Sequence, residues 1–274
     1  MAFNAFERMA ARRYLGSRGD GVVSAIALFS FMGIALGVFA LVVTMSVMSG
    51  FRDELLGRIV GVNGHALVAP PRGEVALRDF DRIAAGVGIV PGVLSATPYV
   101  EGQVLVTGER GATGGLLRGV RPPDFRARPV FLEPEAIVAG VIQDFGEPGG
   151  LFIGERLANR LGVWIGDDVR LLSPNGRPTP FGTMPTAKSY AINGVFNVGM
   201  FEYDSTFMFL PFEEAQAYLL LDDAATAVEV FVDQPDRIEG FRPILSNAAG
   251  ADVRIVDWKL TNRSFVEALR VERI

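Results

Sequence analysis

The sequence predicts an α+β protein behind a single N-terminal transmembrane helix. Three observations carry that prediction: an apolar run without one ionisable side chain between Asp20 and Arg52, two β-α-β patterns far apart in the chain, and a strand-rich segment between them. A helix crosses the hydrocarbon core of a bilayer with roughly 20 mostly apolar residues. The stretch 21–51 exceeds that length, and at about 1.5 Å per residue it crosses with a turn or more to spare. A cleaved leader would carry an apolar region of roughly 7–15 residues and a small-x-small site. Met48-Ser-Gly-Phe51 is a poor site of that kind, so the run is read as a retained span over 22–48. Arg8, Arg12, Arg13 and Arg18 precede the span against only Glu7 and Asp20, whereas Arg52 and Arg58 are offset by Asp53 and Glu54. Excess Lys and Arg marks the cytoplasmic side, so the N-terminus is inside and the remaining chain outside. Phe3, Phe6, Met9, Ala10, Arg13 and Tyr14 recur at helical spacing, so 1–21 reads as an amphipathic segment along the inner headgroups, the alternative being a flanking tail whose arginines only fix topology.

Beyond the span, hydrophobic periodicity alternates between strand and helix. His65–Val68 reads as a short strand ended by Pro70-Pro71. Leu77, Phe80, Ile83, Ala84 and Val87 predict a helix over Glu74–Val87, and Val93–Val106 is an extended stretch. A second unit follows later: Ala227–Val232 alternates with period two, Pro235–Ala249 opens like a helix, and Ala251–Val256 is again strand-like. Two such units separated by a long stretch predict one α+β domain, 49–123 with 222–260, that carries an insertion over 124–221. The insertion has strands at Leu151–Ile153, Asp168–Leu172, Ser189–Phe196 and Ser205–Leu210. It has a short helix over Glu155–Leu161 capped by Gly162, and a second helix over Pro211–Leu220 with proline at its first position.

Composition removes several classes of function. The chain has 26 basic and 31 acidic residues, a formal charge of −5 and no cysteine. An acidic chain without a long basic run gives nucleic acid nothing to bind. Without cysteine there is no disulfide, thiolate metal site or cysteine nucleophile. Nor is there a G-x-x-x-x-G-K-[ST] phosphate cradle; the glycine-rich stretch 111–119 lacks its lysine and reads as a turn. His65, the only histidine, stands beside Gly64 without a nucleophile or an orienting acid in its pattern, so a surface or capping role is expected. Asp167-Asp168 and Asp222-Asp223 read as turn residues, and Ser173 and Ser205 lack a nucleophile-elbow context. No enzyme activity and no resident cofactor are expected.

Ser173–Lys188 is the segment with most functional character. Pro174, Pro178, Pro180 and Pro185 stiffen it, and Phe181 and Met184 offer apolar contacts. Between two predicted strands it projects as a long hairpin arm, and a rigid arm loses less entropy on docking than a floppy one. Within the span, Gly33 and Gly37 form a G-x-x-x-G pair that permits close helix approach. Phe29, Met32, Met45 and Met48 are candidates to face lipid or an acyl-chain path.

These residues together carry a family likeness. Phe6–Leu15, Met45–Leu56 and Gly61-Val-Asn-Gly-His65 closely resemble the LolC/LolE permeases of the lipoprotein-releasing ABC transporter, relatives of MacB and FtsX. Gly154–Gly162, Val163–Val169, Gly194-Val-Phe196 and Tyr203–Thr206 look like that family's periplasmic domain, and Trp258–Arg273 resembles its lead-in to a second membrane helix. The resemblance implies a bacterial inner-membrane permease subunit with a Porter-like part, an inserted Sabre-like part over 124–221, and a chain cut before its second span, 261–274 being the lead-in. It implies a LolD-like ATPase subunit holding ATP and Mg, a second LolC/LolE-type permease, an acylated lipoprotein substrate, and a LolA-like periplasmic chaperone. The chaperone would be recruited by the arm, where Thr179-Pro-Phe-Gly-Thr-Met-Pro185 matches the family pattern. Arm residues implied are Pro174, Arg177, Pro178, Pro180, Phe181, Met184, Pro185 and Lys188, although Ala187-Lys188 replaces a glutamine-arginine pair. Two alternatives remain open: a MacB/FtsX-like mechanotransmitting permease with another periplasmic partner, and a single-span periplasmic scaffold or sensor.

Overall fold

The computed structural model describes residues 6, 7, 9, 13, 21–147, 149–179, 182–250 and 252–261. The chain divides into two compact units, Met1–Gly57 and Arg58–Ile274. The expected amphipathic segment over 1–21 and the lead-in over 261–274 lie largely outside the described residues.

Helix α1 runs over Gly21–Val62. Its stretch Ala25–Met48 has a mean hydropathy of 2.6, and none of it is buried within the chain. Apolar side chains point outward all round it, from Phe29 and Phe31 to Val47, which is how a helix looks when its solvent is lipid.

The second unit is a mixed helix-and-strand fold built on a ten-stranded network, in the order β10-β1-β9-β2-β3-β8-β5-β7-β4 with β6 pairing β2 and β7. Its first part joins β1 (Ala66–Ala69), α2 (Phe80–Gly88) and β2 (Val93–Gly108) to β9 (Ala227–Val232), α7 (Ile238–Ala249) and β10 (Arg254–Asp257). β9 lies antiparallel between β1 and β2, and β1 lies antiparallel between β9 and β10. The two β-α-β units are thus interleaved, the split arrangement of a ferredoxin-like sheet. α2 and α7 pack against each other so closely that a Cβ on Gly86 would stand 2.9 Å from the Ala248 carbonyl oxygen.

Between these halves come β3 (Gly111–Val120), α3 (Pro122–Arg126), β4 (Ile137–Gly140), β5 (Gly150–Gly154), α4 (Glu155–Leu161), β6 (Asp168–Thr179), β7 (Gly182–Phe196), α5 (Phe201–Thr206), β8 (Phe207–Pro211) and α6 (Phe212–Tyr218). Their core is aromatic. Phe125 stacks on Phe145 at 3.9 Å between ring centres and touches Phe131, Phe152 and Phe209 as well. Each such ring contributes about 1.5–3 kcal/mol by burial, with more from the edge-to-face pairs.

Several expectations from sequence are corrected. The helix expected from Glu74 starts at Phe80, because Leu77 exchanges backbone hydrogen bonds with Ala225 and Asp79 is held at φ 51°. Ser205 and Thr206 belong to a helix, so the strand begins at Phe207, and Pro211 precedes α6 rather than opening it. Pro235–Arg237 is a 3-10 turn before α7, and the last strand is displaced from Ala251–Val256 to Arg254–Asp257. The glycine-rich stretch 111–119 is a strand, not a turn. Its glycines serve close packing: a Cβ on Gly115 would stand 2.6 Å from the Met208 methyl carbon, and one on Gly119 would overlap Ala215 and Val100. His65 is buried rather than on the surface. Its Nδ1 accepts the Val232 N–H at 2.9 Å, and its ring meets Phe231 edge-on.

Candidate functional site

The expected hairpin arm is the end of a two-stranded hairpin, and β6 and β7 continue as strands through its prolines. Pairing runs from Asp168↔Ala191 to Ser173↔Thr186, shifts register, and resumes as Arg177↔Met184, Pro178↔Thr183 and Thr179↔Gly182. The shift answers the proline problem: Pro174 and Pro185 fall where the ladder is broken, the position in a strand that tolerates a missing N–H. Gly176 makes the break possible, since a Cβ there would stand only 2.8 Å from Pro185 Cα and still closer to the Met184 carbonyl. Met184 presents its side chain to solvent, 65% exposed, and Pro174 and Pro185 are exposed as well. Pro180 and Phe181 lie outside the described residues, and of Arg177 and Pro178 only the backbone is described.

At its base the arm is fastened to α6. Lys188 Nζ donates to Glu214 Oε1 at 2.7 Å and lies 4.6 Å from the centre of the Tyr190 ring. Glu214 Oε2 accepts the Gly149 N–H, and the Tyr218 hydroxyl donates to the Thr186 carbonyl. Burial, with the Tyr190 ring beside it, pushes the Tyr218 hydroxyl up to about 12, so it stays protonated and a donor. Lys188 is therefore committed to an ion pair across two elements. Beside the base opens an apolar groove of about 880 Å³, walled by Leu105, Leu116, Leu172, Pro174 and Pro185 over Gly114.

A second cluster was missed from sequence. Glu229, fully buried on β9, faces Arg128 and Arg118. Arg118 Nε donates to Glu101 at 2.7 Å, and its guanidinium lies over the rings of Tyr99 and Phe207. Burial alone would raise the Glu229 carboxyl, but Arg128, Arg118 and the Gly64 N–H overcome it and hold the group below the usual carboxylate range. Burial pushes the Tyr203 hydroxyl up to about 12. The signal was available in Ala227-Val-Glu-Val-Phe-Val232, where a carboxylate stands between valines that the structure buries.

Phe29, Met32, Met45 and Met48, the candidates on the span, are all exposed along α1, and a Cβ on Gly33 or Gly37 would meet nothing. That face is open to lipid or to another helix. Among the described residues no group of three or more His, Asp or Glu could hold a metal ion. Asp167 instead accepts the Trp164 N–H within its turn.

The chain has relatives among known proteins. The lipoprotein-releasing system transmembrane protein LolC of Neisseria meningitidis is 31% identical over 267 residues, covering 95% of this chain and 63% of that protein. Its counterpart LolE of Haemophilus influenzae is 29% identical over 80% of this chain and 53% of its own length. The chain thus spans somewhat under two thirds of these relatives. The periplasmic region of MacB from Actinobacillus actinomycetemcomitans superposes with a TM-score of 0.46 at 12% identity, over 77% of this chain and 97% of that one. Residues 27–247 match the MacB-like periplasmic core domain. That match takes in most of the sequence, and the chain belongs to the MacB-like periplasmic core domain family, with LolC and LolE proteins among its relatives.

Proposed function

We propose that the chain is the membrane-entry and periplasmic part of a permease subunit that releases acylated lipoproteins from the inner membrane and passes them to a soluble periplasmic chaperone. In this reading 22–48 crosses the inner membrane with the N-terminus in the cytoplasm, 49–123 and 222–260 form the Porter-like part, and 124–221 the Sabre-like part. It works without chemistry of its own. ATP and Mg belong to a LolD-like subunit, and a second LolC/LolE-type permease completes the transporter. The need for an energy source is physical: each buried methylene holds the lipid anchor by about 0.8 kcal/mol, so several acyl chains do not leave unaided.

The observation that carries the reading is the arm. It is a register-shifted hairpin that carries its own backbone hydrogen bonds, is fastened at the base by Lys188–Glu214, and shows Met184 to solvent. A preordered projection with an apolar side chain is suited to entering a lipid-carrying partner, since little freedom is lost on docking. Pulldown of the full subunit with a LolA-like chaperone tests this. Phe181→Asp and Met184→Asp weaken capture at unchanged expression, and full capture by both variants refutes the docking role. The family match itself favours a second reading, a MacB/FtsX-like mechanotransmitting permease with a different periplasmic partner. A photocrosslinker at position 181 separates the two by which protein it captures.

A further inference from the structure

The face of β2 and β3 that carries Tyr99 and Val120 into the aromatic core is bare farther along the same strands. Leu116 marks the border, packed against that core but only partly buried. Beyond it Leu105 is 42% exposed. Leu105 stands in register between Gly114 of β3 and Leu172 of β6. Paired residues share a face of a sheet, so these three make one apolar row across three strands. That row is the floor of the groove of about 880 Å³. Leu116 and Thr206 bound it on the β3 side, and Pro174 and Pro185 on the β6 side.

Gly114 gives the groove its depth. A Cβ on Gly115 or Gly119 would strike the protein's own packing, whereas one on Gly114 would meet nothing within 4 Å. Its missing side chain is therefore room for something else. The chemistry of the lining selects the occupant. Among the described lining residues none is ionisable, and Gln103 and Thr206 supply the polar side chains. Strand β2 is paired on both sides at Leu105, so the backbone groups of the floor are spent on the ladder. Pro174 and Pro185 have no N–H to offer. A polypeptide laid along this surface would bury amide groups without partners, which is costly, but an acyl chain has no polar group to satisfy. The volume lies within the roughly 300–1,000 Å³ typical of small-ligand sites. Pro174 and Pro185 belong to the groove and to the arm alike, so the groove opens at the arm's foot.

We infer that this groove is an acyl-chain site, which holds one fatty chain of the lipoprotein cargo as it passes to the chaperone at the arm. The identity of the cargo rests on the permease reading above; the selection of a fatty chain rests on the lining alone.

A palmitic acid analogue with a mid-chain diazirine is the probe, added to the full chain in phosphatidylcholine nanodiscs and activated by light. Peptide mass spectrometry then locates the label, which is expected on β2, β3 and β6 at the groove. Gly114→Trp fills the row and lowers that labelling about tenfold, as losing contact with about two methylenes of the chain already does. Leu105→Gln sets an amide on the floor, lowers labelling in the same way, and stands in should Gly114→Trp fail to fold. Val138→Trp, exposed on β4, leaves labelling unchanged. A peptide with a palmitoylated N-terminal cysteine displaces the label from the native groove, and a diacyl phospholipid at equal concentration does not. No label in the groove, or undiminished label in both groove variants, overturns the inference. Displacement by the phospholipid as readily as by the peptide overturns it too, since the site then holds bilayer lipid. The chaperone takes no part in these readouts, so their failure is distinct from failure of the docking role in the pulldown.

Discussion

Gly119→Ala tests whether the glycine-rich strand β3 exists for packing. The added methyl would stand 2.3 Å from Ala215 Cβ and 2.5 Å from Val100 Cγ2, with Phe212 Cα at 3.4 Å. Ala215 cannot rotate away, so α6 must retreat from the sheet or β3 must bend. Overpacking at a site this closed costs about 1–3 kcal/mol. Against it, alanine regains roughly 0.5–1 kcal/mol of the entropy that glycine loses on folding. The net expectation is a loss of about 1 kcal/mol, or a melting shift of about 2–4 °C for a unit of this size. Gly114→Ala, five residues earlier in the same strand, is the matched control. Its Cβ meets nothing within 4 Å, so the entropy gain stands alone and the protein is stabilised by about 0.5 kcal/mol. Thermal melting of the full chain in detergent, followed by far-UV circular dichroism, reads both. Equal effects from the two substitutions, or a neutral Gly119→Ala, refute the close approach of α6 to β3.

Two further outcomes follow from the same geometry. Burial lowers the pKa of His65 in the folded chain from 6.5, against the raising pull of Glu229. The unfolded chain therefore binds the extra proton first, and His65's contribution is whole above about pH 6.5 and declines as the pH falls through the lowered value. Denaturant midpoints measured from pH 7.5 to 5 show that decline in the native chain, and His65→Leu removes it at a constant cost of about 1 kcal/mol for the lost Val232 hydrogen bond. Phe125→Ala takes out the ring at the centre of the aromatic core and costs about 3–5 kcal/mol, which urea unfolding resolves; a loss below 1 kcal/mol would contradict the stacking on Phe145.

What could be read in the sequence was what periodicity and local chemistry determine. The long apolar helix α1 declares itself through the absence of charge, and α4 with its cap at Gly162, φ 71°, through a short apolar stripe ended by glycine. The strands β1, β5 and β9 were likewise visible within a residue or so of their bounds. The failures share one cause, which is that tertiary contacts overrode local preference. Nothing local in Gly111–Val120 reveals that Met208 and Ala215 will press against it, so its glycines read as flexibility when they are clearance. Leu77 has helical spacing but is claimed by Ala225 across the fold. The hairpin arm was legible from its flanking strands, but the pairing that runs through its prolines was not, because the ladder that tolerates them becomes visible only once the register shift between Ser173 and Arg177 is known.

The buried quartet is the clearest instance, and it bears on how such a protein works. Glu101, Arg118, Arg128 and Glu229 are scattered through the chain, and each alone looks like an ordinary surface charge. Only the sheet order, which sets β9 beside β2 and β2 beside β3, brings Glu229, Glu101 and Arg118 together. Charges are a poor means of adding stability and a good means of fixing one geometry among several. Their place is beside Asn63 and Gly64, which lead from α1 into β1, while the arm stands on other strands, β6 and β7. The quartet and the arm thus stand on different elements of one continuous sheet, and the strand that pairs with both β9 and β6 is β2.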